Sequence, residues 1–494
     1  MPDVGPIVSA VRAIAIEFLR GPQRALGVAS AQAKLCEYYD RRGFDSYCAV
    51  KMVSNASARI AGRLQLVWAS IRDSLWFIPG LSAVAASLLA GVLVRVPTPA
   101  ADSALVRVWL FGGGAEGARG VLSTIAGSLI TVTGVVFSVT IVALQLASSQ
   151  FTPRLLRSFV ADRANQMVLG VFIGTFTYTL LVLRTIRAGS DAGNDDFVPH
   201  VAVSVAVLLL LISIAALIFF IDHAARSVQA SVILDRETRQ TLAQVSRAFP
   251  DEIGAGDEEA VAVAEPDGAG AAVHASESGY LQAVSGDGLL ALATEHDIVV
   301  RLDVSMGAFV LAGRPVATIW PGARADDELC KAVRQTLVLG PERTPEQDVG
   351  YGIVEIADIA VRALSPGVND PTTAMLCIDR LSEILAARGR RRLPSDARVD
   401  RDGRLRVIVR DTNFADATAL AFDQIRHYGV ENPVIAGKLL TTCTELAALV
   451  SPTARTALAR QVDAVLFAVE RSDLNPFDRL ALEDVAREAR KRTR

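Results

Sequence analysis

VLSTIAGSLITVTGVVFSVTIVALQLA, residues 121–147, decides what kind of protein this is. The run has no charged side chain over 27 residues. As a helix rising ~1.5 Å per residue it reaches ~40 Å, more than the ~30 Å hydrocarbon core of a bilayer, so it must tilt or protrude. It is apolar but not uniformly so. Thr124, Thr131, Ser138 and Gln145 recur every seven residues, and Gly127, Gly134 and Ser148 form a neighbouring track with Ser128 beside it. A strict seven-residue repeat keeps one stripe along a left-handed supercoil. Two readings stand side by side. Small residues let helix backbones approach and hydroxyls bond back to their own helix; alternatively the stripe faces a water-filled axis in an oligomer.

Three more windows of similar character surround it: 75–96, 166–183 and 201–221, none with an acidic residue. Four such runs within 150 residues predict four membrane spans rather than buried core helices. In the third, Gly170 and Gly174 form a GxxxG, a helix-packing pattern. Lys and Arg set the orientation. Residues 1–74 carry ten, the connection between the second and third spans holds Arg154, Arg157 and Arg163, and Arg226, Arg236 and Arg239 follow the fourth span. The other two connections are poorer in basic residues, so both termini are expected in the cytoplasm of a bacterial inner membrane, with the chain crossing it repeatedly. No short apolar segment with a cleavage site opens the chain, so no signal peptide is expected.

The whole-chain arithmetic agrees. Of 494 residues, 51% are hydrophobic and 21% charged, with a mean hydropathy of +0.35. That is too apolar for an ordinary soluble protein and too charged for one that lies wholly within a membrane. A net charge of −3 supplies no basic field for nucleic acid. The cysteines, Cys36, Cys48, Cys330, Cys377 and Cys443, are odd in number and form no CxxC, which argues against a disulfide framework or zinc ribbon.

Beyond the spans, the sequence divides into a helical stalk (222–250), an acidic Gly/Ala-rich flexible loop (251–277), a small β module (278–325) and a mainly helical domain (326–494). The membrane domain takes 75–221 and an N-terminal cytoplasmic helical region takes 1–74. In the β module, GYLQAV, IVVRLDV, AFVLA and PVATIW are short alternating runs separated by GDG, SMG and AGR, expected to form a small barrel or sandwich. The run VSMGAFVLAGRPVATI resembles a lipoyl/biotinyl half-motif, but 274–330 holds no lysine to carry such a group. SPGVNDP, 365–371, breaks two helices; Asp370 before Pro371 suits a cap, and Asn369 and Asp370 together are the candidates for a ligand contact there. ARVDRDGRLRVIVR, 397–410, predicts a hairpin turning at Asp402-Gly403. From 412 on, helices broken at 428–433, at Ser451-Pro452 and at Asn475-Pro476 form a C-terminal bundle. The fold class is therefore membrane α-helical, with four transmembrane helices, followed by a cytoplasmic α+β domain.

No Walker A, HExxH, GxSxG or GxGxxG occurs in a usable context, and the five histidines make no metal pair, so neither an enzyme nor a cofactor is expected. A homo-oligomeric channel or pore passing a small ion fits the polar stripe. A membrane-anchored sensory or scaffold protein whose cytoplasmic domain binds a partner is the alternative, although an anchor needs no polar group every two turns. A secondary transporter is disfavoured by the lack of intramembrane acids. If a pore exists, Thr124, Thr131, Ser138 and Gln145 line it, Val135 and Val142 form apolar girdles, and Gly127, Gly134, Gly170 and Gly174 pack helices. Arg119 at the outer end and Arg154 and Arg157 at the inner end would make its mouths positive, giving anion preference or weak selectivity.

TVTGVVFSVTIVALQLASSQFTPRLL (131–156), residues 279–284, and above all DVGYGIVEIADIAVRALSPGVNDPTTAMLCIDRL (348–381) resemble the bacterial membrane proteins of the domain-of-unknown-function 2254 family. The likeness runs from about residue 66 to about 482. It implies four spans and a cytoplasmic C-terminal domain, and it carries over no functional residue.

Overall fold

The computed structural model describes residues 74, 76–96, 111–150, 162–187, 197–227, 229–248, 266–345, 347–391, 396–409 and 413–493, with side chains of 147–150 excepted. The N-terminal helical region read over 1–74 therefore lies almost wholly outside the described residues, as do Arg154, Arg157 and most of the acidic loop.

Four apolar helices come first: α1 (Phe77–Leu93), α2 (Ala115–Gln150), α3 (Arg163–Thr185) and α4 (His200–Ser227). Three are long and apolar enough to cross a membrane, α2 over Ala115–Leu146 together with α3 and α4; α1, at 17 residues, is a shorter apolar helix. α2 begins six residues before the run that identifies it and ends three after it, so its 36 residues reach ~54 Å. α3 is the most enclosed of these helices. Its Phe172, Tyr178 and Val182 join Leu122, Ile125 and Leu129 of α2 and Val203 and Ala206 of α4 in one core. Two cross-helix bonds tie it to α4: the Tyr178 hydroxyl donates to the Ala202 carbonyl at 2.9 Å, and the Ser213 hydroxyl to Thr175 Oγ1 at 3.1 Å.

α4 leads through Gln229 into α5 (Ala230–Ala248), the stalk. The β region holds β1 (Ala271–His274), β2 (Gly279–Val284), α6 (Gly286–Glu295), β3 (Val299–Leu302), β4 (Phe309–Val310), β5 (Pro315–Trp320), α7 (Asp327–Gln335) and β6 (Leu337–Gly340). After α8 (Val349–Ala363) and α9 (Pro371–Gly389) come β7 (Ala397–Val399) and β8 (Leu405–Ile408). The bundle then closes with α10 (Phe414–Gly429), α11 (Pro433–Ala447), α12 (Pro452–Glu470) and α13 (Pro476–Thr493).

This corrects the expected small barrel or sandwich over 278–325. The strands form two open sheets, in the orders β1-β5-β3-β8-β7 and β4-β2-β6. β1 comes from the stretch read as a loop, β6 from one read as helix, and β7–β8 from beyond α9. The hairpin turns where expected, Gly403 taking a φ of 76°, but β8 also pairs in parallel with β3, Val300 opposite Val407. GDG opens α6 instead of separating two strands. Both sheets share a core, with Val273, Val300, Val316 and Ile319 on one side and Leu337 and Leu339 packed against them. The larger core joins α5 to the bundle through Leu234, Val245, Ile353, Ile356, Leu381 and Phe422.

Candidate functional site: the exposed face of α2

The heptad stripe lies on the side of α2 that its neighbours leave open. Thr124, Thr131, Ser138 and Gln145 are all exposed, and so are Gly127, Gly134, Val135 and Val142 between them. The opposite side is buried through Leu122, Ile125, Ala126, Leu129 and Val136. The hydroxyls are conditioned as they must be in an apolar medium: Thr124 Oγ1 donates to the Gly120 carbonyl at 2.8 Å and Thr131 Oγ1 to that of Gly127 at 3.1 Å. Ser128 beside them donates to Thr124. Each threonine hydroxyl still has lone pairs to offer outward.

The four glycines divide. A Cβ on Gly127 or Gly134 would meet nothing within 4 Å, so neither packs a helix of its own chain, contrary to the sequence reading. Gly170 and Gly174 do: a Cβ at Gly170 would sit 2.7 Å from Ser82 Oγ, and one at Gly174 would sit 3.4 Å from the Ser82 carbonyl oxygen. The GxxxG is the seat of α1 on α3.

The ends of the helices are tied by polar contacts. Arg119, read as a mouth charge, donates from Nη2 to the Ile186 carbonyl at 3.0 Å, where α3 has just ended. A guanidinium at a helix C-terminus complements the orphan carbonyls and the negative end of the dipole. Its charge stays near the end of α2 but is directed at α3. At the same end, His200 Nδ1 lies 2.7 Å from the Phe111 carbonyl oxygen and the Phe111 N–H donates to Ser204. At the other end, Asp162 caps α3, one oxygen accepting from the Ala164 N–H and the other lying 2.7 Å from His223 Nε2 of α4. The sequence singled out His223 but not Asp162, because the two are 61 residues apart.

In the C-terminal part, Asp370 is engaged as a cap. It accepts from the backbone N–H and hydroxyl of Thr373, which hold its carboxyl below the usual carboxylate range. Asn369 before it adopts a φ of 47°, the left-handed conformation that Asn tolerates better than most side chains. Sequence reading missed Asp348, which caps α8 through Tyr351 and receives a two-pronged bond from Arg343 at 2.9 and 2.7 Å. Burial nevertheless pushes its carboxyl up. Gly307, at a φ of 75°, packs so closely on that carboxylate that any Cβ would collide with it. Among the described residues no three His, Cys, Asp or Glu side chains are grouped to hold a metal ion.

Comparison with known proteins places these features in a lineage. The DUF2254 family model, described as "Predicted membrane protein", matches residues 72–445. Uncharacterised proteins of Mycobacterium bovis and Mycobacterium tuberculosis are 34% identical to the chain over 436 residues, covering 87% of it and 82% of their own length. No solved structure matches the chain.

Proposed function

The chain belongs to the DUF2254 family of predicted membrane proteins, and on that premise we propose that it forms a homo-oligomeric pore in the bacterial inner membrane. One observation carries the reading: a membrane-length helix, α2, turns a face of hydroxyls, one amide and two glycines away from every described residue of its own chain. In lipid such a face lacks hydrogen-bonding partners, and a second copy supplies them. Gly127 and Gly134 let neighbouring α2 helices approach, while the Thr124, Thr131, Ser138 and Gln145 track lines the axis. Val135 and Val142 form narrow apolar girdles that close by dewetting.

In this reading α1 is the fourth span. Its 17 residues reach ~26 Å, near the lower limit for crossing, and its close seat on Gly170 and Gly174 gives it a place in the bundle. Four spans and the basic flanks put both termini and the C-terminal α+β region in the cytoplasm. No carboxylate lies on the stripe, so the pore is weakly selective or prefers anions; the role is transport, not catalysis. Single cysteines at Thr131 and Ser138 should crosslink between copies, and the reconstituted protein should conduct under a salt gradient without cation preference. A monomer by light scattering in mild detergent would instead support a membrane anchor bearing a sensory or scaffold domain.

A further inference from the structure

The stalk α5 meets α8 through two acids. Glu237 and Glu355 are 5% and 4% exposed, each at a position of its helix that otherwise carries apolar core residues, and their side chains are hydrogen-bonded to one another. Two carboxyl groups make such a bond only if at least one holds a proton. The helices approach closely here because α8 presents Gly352, where a Cβ would collide with Thr241 of α5. The nearby hydroxyls are committed elsewhere, Thr238 to the Leu234 carbonyl and Thr241 to that of Glu237.

We propose that Glu237 and Glu355 share a proton that latches the stalk onto the C-terminal bundle, and that loss of this proton releases α5. The pair stands where the membrane part joins the rest of the chain, since α5 follows directly on α4. It does not depend on the pore reading.

The surrounding charges fit a protonated pair. Burial pushes the Glu237 carboxyl up, opposed by the bond to Glu355 and by Arg236. Asp235 and Arg239 on α5 pair with each other, and Asp235 also lies 3.8 Å from Arg380 of α9, which is bonded to Glu383. Arg391, following α9, donates to the Val245 carbonyl and to Ser246. On α8, Asp358 and Arg362 are engaged; on α10, Asp423 is held by Arg426 and Gln461; and on α4, Asp222 pairs with Arg226.

A carboxyl raised in the folded state binds more protons there than when released. The latch is therefore intact near the ordinary glutamate value of 4.5 and weakens as pH rises through the raised one. Across that window the docking equilibrium shifts about tenfold per pH unit for one proton released. Hydrogen exchange of α5 amides, in the full chain in nanodiscs between about pH 5 and pH 8 and corrected for intrinsic rates, reads this directly. Wild-type protection of α5 should fall with pH by that factor, while Glu237→Gln, Glu355→Gln and the double variant stay protected throughout. Identical profiles for wild type and variants would overturn the proposal. So would variants that loosen α5 at every pH, because that outcome means both carboxylates are charged and held by cations.

Discussion

At the residue scale, one arginine does more for the β region than any apolar side chain near it. Arg406 of β8 bonds Asp400 of its own hairpin at 2.7 Å and Asp297, just before β3, at 2.8 Å, with its own side chain almost wholly buried. Asp297 takes a left-handed φ of 51°, unfavourable for an ordinary side chain, and Arg324 helps Arg406 to hold it. Both aspartates lie below the ordinary value of 3.8, chiefly through Arg406. Their contribution to stability is complete above that value and is lost as pH falls through the lowered ones. Arg406→Met should lower the thermal midpoint at neutral pH and flatten the decline in acid, as scanning calorimetry at stepped pH would show. Asp370→Ala should cost about 1 kcal/mol through the lost cap, with Asp370→Asn keeping most of it. Among Cys330, Cys377 and Cys443, only Cys330 is not fully buried, and burial pushes the Cys443 thiol up to about 12. Peptide mapping after alkylation of the folded protein should find Cys330 modified well before the other two.

Helices and strands were unequally legible. Helix starts at Pro371, Pro433, Pro452 and Pro476 were readable because proline needs no N–H bond in the first turn and a capping residue precedes it; Asp370, Asn432 and Ser451 each bond the following backbone. The stripe on α2 was readable because a heptad period is a local property. Which glycines pack was not, since Gly134 and Gly170 look alike in sequence and differ only in what faces them. The strands failed for a related reason: β3 finds β8 about a hundred residues later, and a four-residue strand such as β1 has too little alternation to stand out. Arg119 and Asp162 likewise meet their partners 67 and 61 residues away. The glycine contrast is testable. Gly170→Leu should overpack α1 against α3 and destabilise by roughly 1–3 kcal/mol in detergent. Gly134→Leu should leave that stability unchanged and act on association between copies, seen as a shift in mass by light scattering.

The whole molecule joins a membrane bundle to a large C-terminal part through one helix, α5, whose buried face belongs to the core of the bundle. Oligomer formation through α2 would thus bring copies of the C-terminal part together without any contact of their own, and a chain lacking it should still associate in detergent. The parallel pairing of β3 with β8 bears also on how the chain is made. During synthesis, residues 271–320 emerge with β5 and β1 able to pair while the other edge of β3 stays bare until residue 408 has left the ribosome. Pairing across so long a separation is slow, and a bare strand edge invites the wrong neighbour. The helices α8 and α9, made in the interval, are thus nascent-chain cargo during the most aggregation-exposed stage. A chain stopped at about residue 396 should accumulate in inclusion bodies or on chaperones, and one stopped at about 412 should not.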